Sequence, residues 1–208
     1  MNDRGPIVYI VDDDVSICRA LSLLLKSYGF KVQTFTRSSD FLACKHPKVS
    51  SCLLLDIRIP DMNGLVLQDT MAARQLIIPI IFITGHGDIP MSVKGMKAGA
   101  IDFLPKPFTK KKLLNAITAA IIKSKAQNKE QAEISKIKRR IRTLSPRELE
   151  VFQLVAKGML SKQIARKRGT ALQTIKVHRS RVMQKMQAKT ITELIRFAQT
   201  AGLVSSRH

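Results

Sequence analysis

The chain has no tryptophan, and only two tyrosines and eight phenylalanines among its 208 residues. So little aromatic mass disfavours a sandwich core and suits the aliphatic packing of α/β or helical layers. Both tyrosines, Tyr9 and Tyr28, fall early, so the basic second half has no tyrosine or tryptophan on which an RNA base could stack. Three cysteines, Cys18, Cys44 and Cys52, make a poor disulfide framework and lack metal-ligand spacing. They read as reduced packing residues of a cytoplasmic protein. No run of 18 apolar residues is present, and the apolar stretch near the start meets "DDD" at once, which fits neither a membrane span nor a signal peptide. Glutamate is missing from the first 129 residues, where every acid is aspartate.

The sequence does carry charge, and unevenly. Residues 1–122 hold 15 Lys and Arg against 10 Asp, for +5, and residues 123–208 hold 21 against 5 Glu, for +16. That asymmetry marks the second half as a polyanion binder. Its basic residues are not confined to one amphipathic stretch, which favours nucleic acid over an anionic membrane. With 45% hydrophobic residues the chain can build a proper core.

Apolar strand-like runs at 7–11, 31–35, 52–56, 78–84 and 101–105 alternate with helix-compatible segments at 15–28, 38–45, 64–75, 90–98 and 109–123. Five such units predict an α/β fold, a doubly wound five-stranded parallel sheet with helices on both faces. From 110 to 142 a helical stripe runs on into the polar stretch "KSKAQNKEQAEISKIKRR", expected to be a solvated, helical or partly flexible linker without a site. An all-α unit of four short helices follows. "SPRE" at 145–148 is a capping box opening a helix at Pro146. Further helices are expected at 161–167, 171–186 and 191–201. The second and third, joined through "KRGT", have helix-turn-helix spacing. The third would turn Ile175, Val182 and Met186 inward and leave Thr174, Lys176, Val177, Ser180 and Arg181 outward. An ordinary four-helix bundle with a basic surface is the alternative. These expectations divide the chain into domains at 1–122 and 143–208, with a linker at 123–142.

A lone aspartate after "LLL" at 53–55 could simply cap the next helix. Asp56, however, has company at the other strand ends: Asp12, Asp13 and Asp14 after the first, Thr84 at the fourth and Lys106 just past the fifth. In a doubly wound sheet these positions converge on one crevice. Clustered carboxylates repel unless a cation sits among them, and Mg²⁺, an oxygen-seeking ion able to bridge a phosphoryl oxygen, is the expected one. Thr84 and Lys106 would meet other phosphoryl oxygens, and Asp56 is placed as a nucleophile for phosphoryl transfer. A Mg²⁺-dependent phosphohydrolase is the rival reading. Such an enzyme would want a second acid where Arg58 stands.

The motifs "VDDD", "DIRIPDMNG", "ITGHGD" and "DFLPKPF" resemble the receiver domain of two-component response regulators. "LSPRELEVFQLVAKG", "KQIA" and "TIKVHRSRVMQKM" resemble the output domain of the NarL/FixJ (LuxR-type) family, and the 81–108 segment is similar to its FixJ branch. The resemblance implies a flavodoxin-like receiver followed by a LuxR-type helix-turn-helix, and a transcription regulator rather than an enzyme. By it, Asp56 is the phosphoacceptor, and Asp12 and Asp13 hold Mg²⁺ with Asp56 and the backbone carbonyl of Arg58. Thr84 and Phe103 form the switch pair, Lys106 contacts phosphate, and the Lys106–Pro107 bond is cis. It also implies base contacts from Lys176 and Val177, with Lys162, Arg179, Arg181 and Lys185 meeting DNA phosphates and Thr174 and Ser180 as further DNA-binding residues. The implied partners are a sensor histidine kinase, promoter DNA, RNA polymerase and a second copy of the chain on phosphorylation, with no membrane. His86 reads as a solvated loop residue and His178 as partly packed.

The sequence departs from that family around the turn. Arg168 stands where a core leucine is usual, Ala171 where a capping serine is usual, and Ser161 replaces a common asparagine. The expectation is that Thr170 takes over as cap, with Gln173 completing a T-x-x-Q box.

Overall fold

In the computed structural model, which describes residues 5–85 and 89–204, the chain forms two compact units, 1–129 and 130–208. The first holds strands β1 (Ile7–Val11), β2 (Lys31–Phe35), β3 (Ser51–Asp56), β4 (Ile80–Thr84) and β5 (Asp102–Pro105) in one parallel sheet of order β2-β1-β3-β4-β5. Between them lie α1 (Val15–Ser27), α2 (Ser38–Ala43), α3 (Gly64–Ala73) and α4 (Ile89–Lys97), and α5 (Lys110–Ile141) follows β5.

Alternation along the strands divides the core in two. Tyr9, Val11, Leu53, Leu55 and Phe82 face one layer with Phe41, Leu67 and Met71, while Val8, Ile10, Leu54, Ile81 and Ile83 face the other with Leu21, Leu25, Leu113 and Ile117. Burial on both faces is why the three central strands read as unbroken apolar runs. The strand order reverses between β1 and β3, so the ends bearing Asp12 and Asp56 lie side by side there.

The loop after β3 is held tightly. Asn63 caps α3, accepting from the Leu65 N–H at 2.9 Å, and the Gly64 N–H donates to Ile57 O at 2.9 Å. A Cβ on Gly64 would lie 2.8 Å from Asp56 O and 3.2 Å from the Phe82 ring. Gly64→Ala should therefore destabilise the first unit by about 1–3 kcal/mol, measured by urea unfolding, because backbone must shift to admit one methyl. Asp61 closes the same loop from its other side. Its carboxylate accepts from the Ser38 and Ser39 N–H groups at 3.1 and 3.0 Å, fixing the start of α2. Burial would raise the Asp61 pKa, but those N–H groups and Arg37 hold it below the ordinary carboxylate value.

Buried Cys18 and Cys52 are free thiols, pushed up by burial to about 11 and about 12, which suits packing residues rather than nucleophiles.

Helix α5 is continuous over 32 residues. Leu113, Ala116, Ile117 and Ala120 pack into the first unit, where the Ser51 N–H donates to the buried Ser124 Oγ at 3.0 Å. Its last turns are not a purely solvated face. Ile137 is buried in the core of the second unit, and Arg140 donates to Met186 O at 3.1 Å.

The second unit adds α6 (Pro146–Ala156), α7 (Ser161–Arg168), α8 (Leu172–Met186) and α9 (Ile191–Thr200). The α6 capping box is complete: Ser145 Oγ accepts from the Glu148 N–H at 3.3 Å, and Glu148 Oε2 from the Ser145 N–H at 2.8 Å. Phe152, Val155, Ile164, Ile175, Val182, Met186 and Leu194 form the core.

The expected box at Thr170 does not form. Helix α8 starts at Leu172, its cap is Ala171, and no side chain caps it. The cause lies in how α7 ends. Gly169 is left-handed at φ 59°, and the Thr170 N–H turns back to Ala165 O at 3.1 Å, so Thr170 closes α7 and is out of place to open α8. Arg168, in the supposed leucine position, is an exposed partner of Glu150 on α6, which also takes Arg147 at 3.4 Å.

Candidate functional site

At the carboxyl end of the sheet, Lys106 joins the two neighbouring strand ends. Its Nζ lies 3.1 Å from Asp12 Oδ2 and 2.6 Å from Asp56 Oδ2. Asp12 is 1% exposed, and burial raises its pKa although the Asp14 N–H and the Lys106 ammonium oppose this. Burial alone would lower the Lys106 pKa. Hydrogen bonds and charge from Asp56 and Asp12 outweigh that and hold it above the usual lysine value. The cation among the carboxylates is thus supplied by the chain itself. The other Asp56 oxygen, Oδ1, accepts from the Arg58 N–H at 2.9 Å.

The backbone ties β4 to this corner. The Lys106 N–H donates to Thr84 O at 2.7 Å, and the Lys106–Pro107 bond is cis. Buried Thr84 donates its hydroxyl to Gly85 O at 3.1 Å. Phe103 is half-buried, its ring 4.8 Å from that of Phe82.

The three-carboxylate cluster read from the sequence is only partly assembled. Asp12 and Asp56 meet through Lys106. Asp13 is exposed, and Asp14 is spent on capping α1, accepting from Ser16 N–H at 2.7 Å. Among the described residues no three His, Cys, Asp or Glu side chains are grouped to hold a metal. The donor set still suits Mg²⁺, which binds through one or two carboxylates and keeps several waters. His86 lies outside the described residues.

In the second unit, α8 presents Thr174, Lys176, Val177, Ser180 and Arg181 as exposed residues opposite buried Ile175, Val182 and Met186. Lys162 is exposed at the start of α7. Two expected phosphate contacts are engaged within the unit. Arg179 donates to Ser161 Oγ at 3.1 Å, and Lys185 Nζ sits 2.7 Å from Glu148 Oε2 and 3.1 Å from Thr143 O. Glu148 is buried. Lys185 and the Ser145 N–H hold its pKa below the usual carboxylate range. His178 is half-buried, with Nδ1 buried and unpartnered, in keeping with packing rather than base reading.

A sheet of this order with paired carboxylates at the reversal, joined to a helix-turn-helix, is matched by two family models. The response regulator receiver domain covers residues 8–118, and the luxR family of bacterial regulatory proteins covers 142–198. The chain belongs to the NarL/FixJ-type response regulators. Nodulation protein W of Bradyrhizobium diazoefficiens is 45% identical over 97% of this chain and 88% of its own length. The transcriptional regulatory protein FixJ of the same organism is 39% identical over 99% and 100%. The solved structure of the response regulator StyR is 42% identical, covers 93% of this chain and 98% of its own, and superposes with a TM-score of 0.80. This regulator accordingly carries a receiver and a LuxR-type DNA-binding domain, and among the described residues no helix is long and apolar enough to cross a membrane.

Proposed function

We propose that this response regulator takes a phosphoryl group on Asp56 from a sensor histidine kinase and, so modified, pairs with a second copy and binds promoter DNA in the cytoplasm. The observation that carries the reading is the Asp12–Lys106–Asp56 bridge at the strand-order reversal. An Asp56 oxygen attacks phosphorus, the bond from phosphorus to the donor breaks, and the leaving group departs with its electron pair. Asp12 and Asp56, with Asp13 and the Arg58 carbonyl as further donors, would hold Mg²⁺, whose chemistry is to neutralise charge on the transferring group. Lys106 now compensates both carboxylates. An ion held there would leave its ammonium available to a phosphoryl oxygen.

Thr84 is the sensor in this reading. Its hydroxyl exchanges the Gly85 carbonyl for a phosphoryl oxygen, and Phe103 repacks against Phe82, biasing the surface around α4 toward pairing. Outward residues of α8 then enter the major groove, Lys176 and Val177 toward base edges and Arg181 toward the backbone with Thr174 and Ser180 beside them, while Lys162 on α7 meets a phosphate. Arg179 and Lys185 would reach phosphates only by releasing Ser161 and Glu148. The domains implied are a receiver at 1–122, a linker at 123–142 and a DNA-binding domain at 143–208. Contact with RNA polymerase would follow at the promoter. No substrate is turned over beyond the chain's own phosphorylation and its loss.

Thr84→Ala tests the coupling. The variant is expected to accept phosphate from acetyl phosphate and Mg²⁺ as the parent does, yet to stay monomeric in sedimentation where the parent dimerises. Dimerisation equal to the parent's would remove Thr84 from the switch.

A further inference from the structure

We infer that Gln173 is a base-reading residue of this regulator, recognising an adenine in the major groove; the inference rests on α8 being the DNA-reading helix. Three observations carry it. First, Gln173 is exposed in the first turn of α8, and helices of this kind use their N-terminal residues to reach base edges. Second, it lies three, four and seven residues before Lys176, Val177 and Ser180, so the four share one face, opposite buried Ile175, Val182 and Met186. Third, it is not spent on the helix. A T-x-x-Q box would have turned its amide back onto the Thr170 N–H, but that N–H is bonded to Ala165 O, and α8 opens from Ala171 with no side-chain cap. Among the described residues the Gln173 amide has no hydrogen-bond partner.

The chemistry then selects the base. A carboxamide offers one donor and one acceptor side by side, matching the N7 acceptor and N6 donor on the major-groove edge of adenine. Lys176 and Val177, its nearest neighbours on this face, cannot do the same. Lys176 only donates, which suits guanine, and Val177 can only pack on a thymine methyl. A phosphate contact by Gln173 is the competing use. It would accept only the amide donor and carry no sequence information.

The test uses the full chain treated with acetyl phosphate and Mg²⁺ in a selection from duplexes randomised over two helical turns, run near physiological salt because the basic second half binds any DNA at low salt. The parent should enrich adenine at one position of each half-site, discriminating roughly 5- to 150-fold against other bases there. Gln173→Ala should keep the remaining consensus but lose that adenine. Gln173→Arg should replace it with guanine, since guanidinium pairs with O6 and N7. An adenine preference that survives Gln173→Ala overturns the inference, as does an equal loss of affinity by Gln173→Ala on selected and scrambled DNA. A parent that enriches no sequence overturns the inference together with sequence reading by α8, whereas an unchanged consensus in the variants removes Gln173 alone.

Discussion

Asp56→Asn is expected to take up no phosphoryl group from acetyl phosphate in Mg²⁺, where the parent takes up one, as read by intact mass. An amide oxygen is too weak a nucleophile for this transfer, and the substitution also removes a carboxylate charge that Lys106 Nζ meets at 2.6 Å. The side chain keeps its size, and its oxygen can still accept from the Arg58 N–H, so the fold should persist and far-UV circular dichroism should match the parent. Labelling that survives in the variant would place the phosphoacceptor elsewhere.

The second large effect lies in the DNA-binding unit. Glu148→Gln should destabilise that unit by about 2 kcal/mol near neutral pH, measured by urea unfolding. Breaking a buried ion pair costs about 3–5 kcal/mol, discounted here because the Lys185 side chain is 39% exposed. The capping bond to the Ser145 N–H can survive on the amide oxygen, so the loss is mostly charge. The sign with pH follows from the lowered Glu148 pKa. A carboxylate whose folded pKa is depressed contributes stability above its unfolded value, about 4.3, and loses it as pH falls through the folded value. The deficit of Glu148→Gln should therefore be full at pH 7 and narrow below about pH 4. A deficit independent of pH would mean that the substitution acts through packing.

Periodicity and strand-end chemistry were enough to read the architecture. The apolar runs at 7–11 and 52–56 are buried on both faces, so their composition announces a parallel sheet, and their aspartates fall at the reversal in strand order. What escaped was contact between residues far apart in the chain. Nothing near Asp61 says that it caps a helix beginning 23 residues earlier, and nothing near Lys185 names Glu148. "VDDD" reads as three equivalent acids, yet backbone geometry buries Asp12, exposes Asp13 and spends Asp14 on a cap. The polar run around Ile137 gives no local sign that this residue is buried, because the core it joins is built from α6 to α9. At the start of α8 a capping pattern at Thr170 is legible in the sequence, but the closure of α7 that claims the same N–H is not.

In the proposed function it is the phosphoryl group on Asp56 that governs DNA binding by α8. The most direct measurement is the affinity of the full chain for a selected DNA site near physiological salt, before and after acetyl phosphate and Mg²⁺, for the parent and for Asp56→Asn. Phosphorylation is expected to tighten binding of the parent several-fold, as for allosteric coupling of about 1–3 kcal/mol, and to leave Asp56→Asn unchanged. Equal affinity of the parent in both states, or the same gain in Asp56→Asn, would contradict it.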